Sequence, residues 1–162
     1  MREDMLCGSR YFPYPFGEWI PYSLLSYGNQ SGILKARIKI DDVICNCDND
    51  IFVSKILSRV GEEDADGLLL QPDEMFAVVK MTIQIMSDSC DYLGIPYPDI
   101  SLTTERKLLF VDNAMRYAAG DIIHTYGVFV IKQNEHFAFK IESDDDVKPV
   151  YVSGIMPERM SI

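Results

Sequence analysis

PDEMFAVVKMTIQIMSDSCDYL, residues 72–93, is the stretch whose reading decides the fold. Proline suits the first position of a helix, and Asp73 and Glu74 suit its first turn. Phe76, Val79, Ile83, Met86, Cys90 and Leu93 recur at helical spacing, and Met75, Val78 and Ile85 widen the stripe. Asp73, Lys80, Gln84, Ser87 and Asp91 mark the opposite, wet face. Gly94 and Pro96 follow as stop signals. This spacing predicts a central core helix from Pro72 to Leu93.

Upstream, GILKARIKI, DD and VICNC read as a hairpin turned at Asp41-Asp42. In that register Ile40 faces Val43, Ile38 faces Cys45 and Ala36 faces Cys47. Lys35, Arg37 and Lys39 share the other face with Ile44, Asn46 and Asp48. One of Asp48, Asn49 and Asp50 then caps a second helix carrying Phe52, Val53, Ile56, Leu57 and Val60, which Gly61 closes. Before all of this, residues 11–28 hold seven aromatics and three prolines. Proline removes backbone donors, so this segment is expected to run extended over the core and not as a regular ladder.

Downstream, residues 104–119 could be helix or strand. Leu108, Val111, Met115 and Ala118, stopped by Gly120, favour helix over Thr103–Ala119. A second hairpin is predicted for IIHTYGVFVIK and EHFAFKIES, turned at Gln133-Asn134, with Val130 facing Phe137, Val128 facing Phe139 and Tyr126 facing Ile141. The tail adds a short strand at Val150 to Val152. The expected fold class is therefore α+β: an antiparallel sheet built from two β-hairpins, packed against two or three helices in one domain, 1–162.

Composition narrows the function classes. The 162 residues suit one domain of common size, able to bury a core without a disulfide or metal staple. With 48% apolar and 18 aromatic residues, disorder is a poor reading. A net charge of −10 argues against a groove that tracks a phosphate backbone, so no direct nucleic-acid partner is expected. The same charge disfavours an anionic membrane surface, and no run approaches the ~20 apolar residues of a span. MREDMLCGSRYF lacks the apolar core of a signal peptide, so the expected setting is cytoplasmic with free thiols.

Chemical motifs are sparse. His124 and His136 fall on opposite faces in the predicted second hairpin, so they do not share a metal. Cys45 and Cys47 face the apolar side with Ile38 and Val43, Cys90 lies on the helical stripe, and Cys7 stands near the N-terminal end. The acids from Asp48 lack the central glycine and closing glutamate of a calcium loop. Neither phosphate-binding glycine pattern occurs. No catalytic residue, metal site or cofactor is assigned.

Two features remain. Acidic runs at Glu62-Glu63-Asp64 with Asp66, and at Asp144-Asp145-Asp146, form a negative surface if they gather on one side. Trp19, the single tryptophan, offers an interface anchor. Together they point to a non-enzymatic inhibitor of a basic partner, in the manner of an immunity protein or antitoxin that covers a nuclease-like toxin. Carboxylates would occupy the places where the partner holds substrate phosphates. The rival readings are a small enzyme or ligand-binding domain around His124 and Tyr126, and an oligomeric structural subunit; a homodimer stays open.

Overall fold

The computed structural model describes residues 7–25, 33–45, 72–86, 92–104, 108–110, 115–132, 135–144 and 147–154. Among these residues every regular element is a strand. The long strands are β1 (Trp19–Leu25), β2 (Ile33–Cys45), β3 (Glu74–Ile85) and β8 (Ile122–Lys132). The short ones are β4 (Tyr92–Leu93), β5 (Asp99–Leu102), β6 (Leu109–Phe110), β7 (Arg116–Tyr117), β9 (Ala138–Glu142) and β10 (Val150–Ser153). They form a five-stranded sheet in the order β1-β2-β3-β8-β6, a three-stranded sheet β10-β9-β5, and a β4-β7 pair, all antiparallel. The fold is thus not the α+β arrangement expected from the sequence.

The central correction concerns residues 72–93. Glu74 to Ile85 is a strand that pairs with β2 on one side and β8 on the other. Ala77, Val79, Met81, Ile83 and Ile85 are all buried on its inner face, at strict period two. Phe76 and Val78 are buried as well, on the outer face, beside Val128 and Val130 of β8. A strand covered on both faces loses its clean alternation and reads as an apolar run, which a helical stripe also fits. Met86, assigned to the buried stripe, is exposed.

Both predicted hairpins are overturned in an instructive way. The two halves of the first belong to one continuous strand, β2. Apolar parity does switch at Asp41-Asp42, but through a bulge: Ile40 pairs with Met81 and Asp42 with Lys80, which leaves Asp41 as the extra residue. Asp42 Oδ1 accepts from the Val43 amide at 2.8 Å. In the second case β8 and β9 lie in different sheets. The chain does turn after Lys132, where the Glu135 amide donates to Lys132 O at 3.0 Å and the Lys132 amide to Glu135 Oε2 at 2.6 Å. It turns across the core, so Phe129 meets Phe137 and Phe139 edge-on at centroid distances of 5.3 and 5.8 Å.

The predicted helix at 104–119 gives way to β6, β7 and a turn. In that turn the Asp121 amide donates to Ala118 O and Gly120 takes φ +87°, a conformation that suits glycine. The expected helix after Asp48 lies outside the described residues. The strand expected at Val150 to Val152 is present.

The N-terminal segment is a ladder after all. Tyr14 bridges Val152 beside the smaller sheet, Gly17 N reaches Ile40 O, and Trp19 to Leu25 pairs with β2 in the larger sheet. Pro21 is tolerated because β1 is the edge of that sheet, where a missing amide costs no ladder bond. The two sheets face each other over one core that joins Ile20, Ile38, Ile40, Ile83 and Phe129 to Ile100, Leu102, Phe139, Ile141 and Val152.

Candidate functional site on the outer face of the larger sheet

The register aligns polar side chains in rows across the outer face. Trp19 of β1 lies opposite Lys39 of β2, Lys39 opposite Thr82 of β3, and Thr82 opposite His124 of β8. The next row is Pro21, Arg37, Gln84 and Ile122; on the other side lie Asp42, Lys80 and Tyr126. Alternation sends all of these away from the core.

Three contacts fix this grid. The Arg37 guanidinium sits 4.2 Å and the Lys39 ammonium 4.8 Å from the centre of the Trp19 ring. Arg37 Nε donates to Gln84 Oε1 at 2.8 Å, so the arginine is held from two sides. The bulge turns Asp41 outward, where Oδ2 accepts from Thr82 Oγ1 at 2.6 Å and Oδ1 lies 3.7 Å from Lys39 Nζ.

Thr82 is buried, and its Oγ1 also lies 3.2 Å from His124 Nδ1. A hydroxyl has one proton, and the charged carboxylate is the stronger acceptor. Thr82 therefore donates to Asp41 and accepts from His124. This assigns the proton to Nδ1 and leaves Nε2 as the acceptor of the neutral ring. Replacing Thr82 by Val is expected to cost about 1–2 kcal/mol, because a buried hydroxyl with two partners is lost. The His124 ring nitrogen shifts in NMR should then show a mixed tautomer population; an unchanged ratio would mean that Thr82 does not set it.

The sequence-derived candidates scatter. Trp19, His124 and Tyr126 lie on this one face, with β2 and β3 between Trp19 and the other two. Asp144 is exposed, but it is tied to the edge of β1 and not to this grid. Its Oδ2 accepts from the Leu25 amide at 2.9 Å and its own amide donates to Ser23 O. With Ser143, whose Oγ accepts from the Ser23 amide at 2.7 Å, it covers the open edge of β1. Glu62, Glu63, Asp64, Asp66, Asp145 and Asp146 lie outside the described residues, as do Cys47 and Cys90. His136 is exposed just before β9, in the other sheet. Cys7 is a free, exposed thiol.

Arg37, Lys39, Asp41, Thr82 and Gln84 were not singled out by sequence. The shared polar face of Lys35, Arg37 and Lys39 was legible from alternation, but their neighbours follow only from the β2–β3 pairing. On the smaller sheet, the Lys140 amine is held above the ordinary lysine value by its hydrogen bond to Glu142, and then by that carboxylate's charge. Among the described residues, no group of three or more His, Cys, Asp and Glu is placed to hold a metal ion, and no helix is long and apolar enough to cross a membrane. Comparison with family models, with curated proteins and with solved structures returns no match.

Proposed function

We propose that this chain is a non-enzymatic protein-binding domain, most concretely an inhibitor that covers a basic, nuclease-like partner such as a toxin. The observation that carries the reading is the Trp19 stack. An indole clamped by Arg37 and Lys39 on an open sheet face combines two residue types that dominate interface energetics, and the clamp removes much of the entropy that docking would otherwise cost.

Charge divides the labour. Acids and bases nearly balance among the described residues, so most of the net charge of −10 resides outside them, the runs at Glu62–Asp66 and Asp145-Asp146 included. That charge steers a basic partner from a distance, while the local cations beside Trp19 set the register at contact.

The test is stopped-flow kinetics with the partner isolated from the native host. Neutralising Glu62, Glu63, Asp64 and Asp66 to their amides should slow association roughly tenfold at low salt and leave dissociation nearly unchanged. Trp19→Ala should speed dissociation by about 30-fold, the equivalent of a 2 kcal/mol anchor. Association indifferent to ionic strength, with dissociation indifferent to Trp19, overturns the reading.

One observation favours a second reading, a small ligand-binding or enzymatic site around His124 and Tyr126. The Asp41–Thr82–His124 chain orients one imidazole on the same face, as a general base would require.

A further inference from the structure

We infer that a groove beside the Trp19 stack receives an acidic peptide segment of the partner, which places one apolar side chain in the groove and a carboxylate on Arg37. This rests on the protein-binding reading of the same face and names what the partner must bring.

The groove has a volume of about 380 Å³ and runs between β1, β2 and the end of β3, with Ser143 and Val147 on its flank. Its walls combine two kinds of group. Met86 and Val147 line it and are 51% and 61% exposed, an unusual cost for large apolar side chains gathered at one depression. Leu25, Ile33 and Ile122 extend that exposed apolar margin along the outer face of the sheet. Lys35 and Arg37 supply the polar lining.

Arg37 decides the occupant. Its two contacts, the Trp19 ring and the Gln84 amide, are both uncharged, and no carboxylate among the described residues pairs with it. Only Nε is engaged by Gln84, so the terminal nitrogens remain for the two-pronged bond a carboxylate makes. The guanidinium is also fixed in place before any ligand arrives, which lowers the entropy lost on binding. The charged side chains that line the groove, Lys35 and Arg37, are both cationic, and Asp144, next to the lining Ser143, has Oδ2 engaged by the Leu25 amide, so charge complementarity at Arg37 selects an acidic occupant with an apolar anchor.

Trp19 is the single tryptophan and touches Arg37, so its fluorescence reports on the groove. The experiment titrates the full chain with a short blocked peptide having a Leu-Phe centre flanked by aspartate and glutamate, and with its lysine-flanked counterpart. The acidic peptide should give a saturable change with a Kd below about 1 mM, and the basic one none. Met86→Asp and Arg37→Gln should each weaken binding at least roughly tenfold. Met86 is exposed, so its variant keeps the fold, which circular dichroism checks. Equal response to both peptides, no response to the acidic one, or binding unaffected by Met86→Asp overturns the inference. Acetyl-leucine bound as tightly as the peptide would reassign the groove to small carboxylates and overturn it too. No partner protein enters this titration, so its failure removes the groove assignment alone, and the Trp19→Ala kinetics judge the wider reading separately.

Discussion

Phe139→Ala is expected to destabilise the protein by about 3–5 kcal/mol, a large part of the stability of a domain this size. Phe139 is fully buried on β9, and its ring meets Phe129 from the facing sheet and Phe137 at the turn into β9, at 5.8 and 5.7 Å. Deleting it opens a cavity between two layers that cannot both collapse inward. Ser101→Ala, on the other face of the same sheet opposite Lys140, is expected to stay within about 0.5 kcal/mol. Urea unfolding followed by circular dichroism measures both. The sharper test is a double-mutant cycle between Phe129 and Phe139. Rings in contact across the core should couple by about 0.5–1.5 kcal/mol. If β8 and β9 paired as a hairpin, with Phe139 beside Val128, the two rings would point to opposite faces and the coupling would vanish.

Gly154→Ala should cost about 1–3 kcal/mol through overpacking. A Cβ at this buried position would stand 2.2 and 2.4 Å from two ring carbons of Phe137. Phe137 cannot swing away, because Phe129 and Phe139 hold it edge-on from two sides. The Gly154 amide also donates to Phe137 O, which ties the two backbones together. Phe137→Leu should remove most of the added cost, so the double variant would be more stable than the sum of the singles. Strict additivity would mean the ring is free to move and the aromatic cluster is not rigid.

Much of the extended structure was legible residue by residue. The parity of Ile38 and Ile40 against Val43, and of Phe137, Phe139 and Ile141, identified the buried face of those strands correctly, whereas β8 was read with Tyr126, Val128 and Val130 toward the core and in fact turns Phe129 and Ile131 there. The strand at Val150 was legible too. Even β3 carried its signal: Ala77 to Ile85 alternates, with Lys80, Thr82 and Gln84 outside. Phe76 and Val78 obscured it, because burial of the outer face at one end of the strand fills positions that alternation would leave polar.

The candidate site was legible only in pieces. Trp19, His124 and Tyr126 stood out as residue types, but Trp19 is far in sequence from the other two and shares a face with them only because β1, β2, β3 and β8 are neighbours in that order. Asp41 read as a turn residue. It became a partner of Thr82 because the bulge that replaces the turn aims it outward.

Local pattern alone therefore determined the apolar side of β2 and β9, since period-two alternation is a property of a few consecutive residues, but not that of β3 or β8, where both faces carry apolar residues. It could not determine what lies across from that side. A two-residue turn and a bulge both invert parity, and a hairpin and a crossing between layers both bring apolar faces to the core. Choosing between them is a matter of long-range packing: Phe129 against Phe137 and Phe139, and β3 filling the space between β2 and β8, where only the assembled sandwich supplies the neighbours.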